Sequence, residues 1–191
     1  MLKWLIRNRL AAFEREFGYD VSYVRHLLDV DTRAFLRFAR IAGFSAYRKD
    51  VPREVYHAVK VVGAVAEDCG PCTQLCVTMA LKDKVDPRVL ATVLAGTEAM
   101  MPDDVRLGVR FARAVLAHDA AADDARAEIV ERWGERALVS LAFALTSARF
   151  YPTLKYALGH GKACQRVVVG EETIAPVRRP HTTATPTTLR A

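Results

Sequence analysis

The chain has 191 residues, enough for one domain with a sizeable core, and 51% hydrophobic with 26% charged residues is ordinary for a globular protein. The net charge of +6 is spread from Lys3, Arg7, Arg9 and Arg15 to Arg178, Arg179 and Arg190, with acids between. No dense basic run meets an aromatic base-stacking platform, so nucleic acid is not an expected partner.

Met1 to Leu10 carries charges and lacks both a continuous apolar core and a small-residue cleavage site, so no secretory leader is expected. Helical spacing of Leu2, Leu5, Ile6, Leu10 and Phe13 predicts a first helix ending on Gly18. An amphipathic "MLKWLIRNRL" is expected to cover the core or a neighbouring subunit in preference to a membrane. Asp20 is expected to cap "VSYVRHLLDV", and Asp31 to cap "TRAFLRFARIAG", which stops at Gly43. Asp50 with Pro52 opens "REVYHAVKVVGAVAE". Asp68 is expected to cap a helix from about Cys69 to Lys82, with Pro71 in its first turn. Asp86-Pro87 opens "RVLATVLAG", two acids open "PDDVRLGVRFARAVLAHD", and "DDARAEIVERWG" runs to Gly134. The last helix, "ERALVSLAFALTSARFYPTLKYALG", is expected to bend at Pro152. Its apolar stretch 137–148 is too short for the ~20 residues a bilayer span needs, so it reads as a buried helix and no membrane association is expected.

Only "QRVVVGEETIAPV" has the β-branched content of a strand, and "RRPHTTATPTTLRA" has almost nothing apolar to bury. The expected fold is therefore all-α: an N-terminal helical extension over 1–50, a helical domain over 51–160, and a basic, weakly structured, disordered C-terminal tail over 161–191. Trp4 and Trp133 are expected to anchor packing. His118, His160 and His181 fall at helix ends or loops where exposure is expected, and His26 has no nameable partner.

Cys69, Cys72 and Cys76 cluster in "EDCGPCTQLC", while Cys164 stands apart and reads as incidental. Such clustering suits redox or metal chemistry in a reducing cytosol, so a cytoplasmic location is expected. The pair is not a thioredoxin dithiol, because no strand precedes Cys69. On one helix, Cys69, Cys72 and Cys76 occupy i, i+3 and i+7 and share a face. The helix N-terminus favours a thiolate, and Glu67 and Asp68 oppose it. Three readings stay open at this point. The sulfurs pack as small apolar residues, or they bind zinc with His57, or they exchange electrons.

Here the sequence resembles the alkylhydroperoxidase D (AhpD)-like branch of the carboxymuconolactone decarboxylase superfamily. The resemblance runs from about Val51 to Gly159, through "VPREVYHAVKVVGAVAEDCGPCTQLCVTMALKDKVDPRVLATVLAG" and "LGVRFARAV". The family pattern is a helix carrying Glu, eleven residues, Cys-x-x-Cys, three residues and His. His57 stands where the family has Glu, and Cys76 where it has His. Glu54, one turn before His57, is expected to hold it by an i, i+3 contact, and a near-neutral imidazole suits a proton acceptor for a thiol.

The resemblance implies an AhpD-like helical bundle, a homo-oligomer (trimer or hexamer), and a thiol-based oxidoreductase reducing a peroxide or a disulfide. It implies that Cys72 attacks peroxide and Cys69 captures the sulfenic acid as a disulfide, whereas helix-end electrostatics alone favours Cys69 as the more acidic thiol. Cys76 either resolves the oxidised sulfur or packs. An external dithiol reductant supplies electrons and no cofactor is required. The alternatives are a non-catalytic zinc module built on His57 and the three cysteines, and an inactive member of the family.

Overall fold

Short polar and glycine signals set several of the helix ends. The computed structural model describes residues 1–161 and 166–177. Helix α1 (Leu2–Phe17) ends on Gly18 at φ 59°, a left-handed position that a residue without Cβ adopts at little cost. Helix α2 (Ser22–Val30) begins where the Asp20 carboxylate accepts from the Ser22 N–H at 2.8 Å, one residue outside its N-cap Val21. Asp31 accepts from the Arg33 N–H at 2.7 Å and opens α3 (Thr32–Ala39). The chain then passes through Arg40 into the short α4 (Ile41–Ser45), so Gly43 lies inside a helix instead of ending one.

Helices α5 (Arg53–Ala66) and α6 (Gly70–Lys82) follow. Asp86 opens α7 (Pro87–Ala95) by accepting from the Arg88 N–H at 2.8 Å, and Gly96 closes it in the left-handed conformation. Then come α8 (Asp103–Ala117), α9 (Ala121–Trp133) and α10 (Glu135–Ala157). Pro152 sits inside α10 without ending it. The expected all-α class is the class observed. The strand-like segment forms a small antiparallel hairpin, β1 (Val167–Val169) against β2 (Glu172–Ile174), turned at Gly170.

Two apolar clusters organise these elements. The larger joins α5, α8 and α10 around residues such as Val55, Val59, Leu107, Leu141 and Leu145. The smaller gathers Tyr19, Val21, Tyr23, Leu28 and Phe35 with Cys69 and Cys72. Residues 1–50, expected as an extension, therefore share a core with the dithiol. The expected tail is likewise smaller than 161–191, because Val167 and Val169 are buried in the larger core. The rest of that tail (162–165 and 178–191, with Cys164, Arg178, Arg179, His181 and Arg190) lies outside the described residues.

Helix α10 is long and apolar enough to cross a membrane by length and composition. It packs against α5, α9 and α4 and buries Ala137, Leu141, Ala144 and Ala148. Trp133 rests half-buried on the larger core, as expected. Trp4 does not: it is 64% exposed, beside the exposed Leu2 and Leu5. The α1 stripe that does face inward is Ile6, Leu10, Phe13 and Phe17.

Helices α5 and α8 meet through Gly108, where a Cβ would stand 2.6 Å from Val55 Cγ1. Gly108→Ala forces that contact apart. It is expected to cost about 1–3 kcal/mol, seen as a melting temperature lowered by several degrees. An unchanged melting temperature would show that the interface yields.

Candidate redox site

The dithiol is built by the turn between α5 and α6. Asp68 adopts φ 51°, and Tyr156 Oη donates to its carbonyl at 2.8 Å. The reversal makes Cys69, not Asp68, the N-cap of α6, in an extended conformation. The Cys69 carbonyl accepts from the Thr73 N–H at 2.9 Å and from the Thr73 hydroxyl at 3.0 Å. Pro71 sits in the first turn, where its missing N–H costs nothing. Glu67, expected to oppose a thiolate, is engaged by Arg149 Nε at 2.6 Å and by the Thr153 hydroxyl at 3.0 Å. Its charge is thereby largely balanced.

Cys69 and Cys72 are joined as a disulfide, with Cα atoms 5.3 Å apart, inside the ordinary range for such a bond. Their environments differ. Cys69 is fully buried, whereas Cys72 lines a cavity of about 740 Å³. The cavity lies under α1–α4 and against α5, α6 and α10. Tyr19 Oη is 3.5 Å from Cys72 Sγ. The Tyr19 ring meets Tyr23 edge-on, and the buried Lys155 ammonium lies 4.7 Å and 5.3 Å from the two ring centres. Burial, and after it the neighbouring Tyr23, pushes the Tyr19 phenol far above its ordinary range, and burial pushes Tyr23 up to about 12. A phenol so disposed keeps its proton, so Tyr19 serves Cys72 as a donor and not as a base.

His57 is only 7% exposed, not on a solvated face. Its Nε2 lies 3.0 Å from Asp83 Oδ2, and Asp83 also pairs with Arg48. Burial pulls the imidazole below its ordinary value, against the opposing pull of the Asp83 bond. Partial burial works to raise the Asp83 carboxyl, but hydrogen bonds from His57 and Arg48 outweigh it and hold the group low. The pair at neutral pH is thus a neutral imidazole donating from Nε2 to a carboxylate, with Nδ1 left as a buried lone pair without a partner. Glu54 pairs with Arg53 at 3.0 Å, so the residue that holds His57 is Asp83. The signal for it was available: helices of similar length folded back at 67–69 bring the start of α5 to the end of α6.

Cys76 is a free, buried thiol that lines the same cavity but packs into the larger core. Burial raises its pKa, with Lys60 opposing, which disfavours a nucleophilic thiolate there. Among the described residues, no three His, Cys, Asp or Glu side chains gather as metal ligands, so the His57, Cys69, Cys72 and Cys76 set weighed for zinc does not come together. His118 caps α8, exposed, in the left-handed conformation. His160 reaches Ser22 Oγ at 3.2 Å and places its ring 5.6 Å from that of His26. Tyr19, Asp83 and Lys155 are the residues that sequence reasoning missed.

Comparison of the chain with protein-family models, with curated proteins and with solved structures finds no match in any of the three.

Because His57 binds protons less readily folded than unfolded, the unfolded chain takes up more protons as pH falls. The stability due to neutral His57 is complete above about pH 6.5 and is lost as acid carries the protein down toward the folded value. In denaturant titrations from pH 7.5 to 5.5, the wild type is expected to lose stability more steeply than His57→Gln. Parallel slopes would remove His57 as the responsible group.

Proposed function

We propose that this chain is an AhpD-like thiol oxidoreductase that cycles Cys69 and Cys72 between dithiol and disulfide to reduce an organic peroxide. One observation carries the reading: of two bonded sulfurs at a helix start, one opens onto a cavity beside a hydrogen-bond donor, and the other is sealed. The Cys72 thiolate attacks the outer peroxide oxygen. The O–O bond breaks, the alkoxide takes a proton and leaves as an alcohol, and Cys72 becomes a sulfenic acid. The Cys69 thiolate then attacks that sulfur, hydroxide leaves as water with one proton, and the disulfide forms. An external dithiol restores the pair by exchange, giving up two electrons and two protons.

The difference in access supports the division of roles. Substrate meets Cys72, and Cys69 resolves. Tyr19 stabilises the Cys72 thiolate by donating its O–H, a contribution that hydrogen bonding to an anion makes more strongly than to a neutral thiol. His57 is the acid–base group of the same cavity wall, with its Nδ1 lone pair facing no protein partner. Cys76 packs and takes no part in the exchange. A cytoplasmic location, where donor dithiols are available, and assembly as a trimer or hexamer belong to the same proposal.

The test is hydroperoxide consumption by protein kept reduced with dithiothreitol. Cys72→Ser is expected to abolish turnover, and turnover that survives would overturn the reading. Tyr19→Phe is expected to slow the reaction at neutral pH by about tenfold, the size of one hydrogen bond to a charged group, and to recover as pH rises through the displaced thiol pKa. A Tyr19→Phe profile superimposable on wild type would remove Tyr19 from the chemistry while leaving Cys72 in place.

A further inference from the structure

The cavity beside Cys72 is far larger than a small peroxide needs, and its volume of about 740 Å³ falls in the ~300–1,000 Å³ range of sites for drug-sized organic ligands. Its walls are mostly apolar and aromatic, with Phe13, Tyr23, Phe35, Phe38 and Tyr151 among them. Four of these five come from α1, α2 and α3, in the segment that the AhpD-like motif does not reach.

The polar groups on the wall are few and unbalanced. Arg48 is paired with Asp83, and Asp83 also accepts from His57. Lys60 has no such partner: its Nζ donates to the Ser45 carbonyl at 3.2 Å and lies 5.4 Å from the Tyr56 ring centre, and no carboxylate pairs with it among the described residues. With His57 neutral, the lining carries Arg48, Lys60 and Asp83, a surplus of one positive charge. An ammonium has three donors, so Lys60 keeps capacity for an anion. Its position is also telling. Ser45 adjoins Ala46, and Ala39, Ala42 and Ala46 are exposed residues that line the cavity, so the opening runs along α4 next to Lys60.

We propose that this cavity binds an amphipathic monocarboxylate, its carboxylate on Lys60 at the α4 opening and its apolar body among Tyr23, Phe35 and Phe38. The arrangement leaves the charged end near water and removes the hydrocarbon from it, the direction in which both desolvation terms favour binding. A single unbalanced cation matches a single negative charge. A ligand so held occupies the same chamber as the Cys72 sulfur. That such a ligand is also the molecule reduced rests on the redox reading, whereas its binding does not.

The test uses the disulfide form of the full chain and dansylaminoundecanoate, a fluorescent carboxylate with a long apolar body. Saturable, blue-shifted emission is expected, with decanoate displacing the probe at least tenfold better than decanol, about 1.4 kcal/mol. Lys60→Met is expected to erase the preference for the acid over the alcohol. Ala42→Trp, a change at an exposed position, is expected to obstruct the opening and weaken both. Equal displacement by decanoate and decanol in the wild type, which needs no variant, would overturn the proposal. So would unsaturable emission, or a Lys60→Met protein that keeps the preference. Hydroperoxide turnover with Cys72→Ser as control is read separately, so loss of either claim leaves the other standing.

Discussion

The packing of the N-terminal helices over the first turn of α6 is the constraint on which the site depends. Without it, Cys69 and Cys72 would stand at an open helix start, equally wet and chemically alike. With it, Tyr19, Val21, Leu28 and Phe35 enclose the pair, Cys69 is sealed, and Cys72 is left with a cavity on one side and the Tyr19 hydroxyl on another. Two residues three apart in sequence thereby acquire different access. The same helices supply most of the aromatic cavity wall, so covering the core and building the chamber are one structural act.

Burial on this scale has an electrostatic consequence that the surroundings offset. The buried Lys155 ammonium is held against the faces of Tyr19 and Tyr23, whose π-electrons offset part of the cost of burying its charge. Arg149 neutralises Glu67 on the other flank. His57 is kept neutral by burial while Asp83, supported by Arg48, fixes its tautomer. For Cys76 the pull of Lys60 does not outweigh burial, and its thiol is pushed up by the core around it. Proximity in sequence thus overstates how alike the three sulfurs are.

What was legible in the sequence was local. The caps at Gly18, Asp31 and Asp86 depend on a few neighbouring residues, and so does the placement of the Cys-Gly-Pro-Cys pair at the start of a helix. The error at Asp68 was also local: a left-handed residue there shifts the cap by one and puts Cys69 outside the first turn. What escaped were contacts across long sequence separations. Tyr19 to Cys72 and Lys155 to Tyr19 join the loop between α1 and α2 to α6 and α10, and no spacing rule reaches them, whereas His57 to Asp83 needs the fold-back of α6 on α5 to be read. Trp4 was misjudged because a helix's apolar stripe does not say which part of it meets the core. In α1 that part is Ile6 to Phe17, and the first turn is left outside.

The account turns on Cys72 being the sulfur that meets oxidant and Cys69 the one that closes the bond. The direct measurement is peptide mapping of fully reduced protein after one equivalent of cumene hydroperoxide, with remaining thiols alkylated at once and a dimedone trap in a parallel sample. Trapped sulfenic acid at Cys72, and a Cys69–Cys72 linkage with Cys76 still alkylated when the trap is omitted, is the outcome the account requires. Sulfenic acid trapped at Cys69 or Cys76, or all three thiols alkylated after the oxidant is gone, would contradict it.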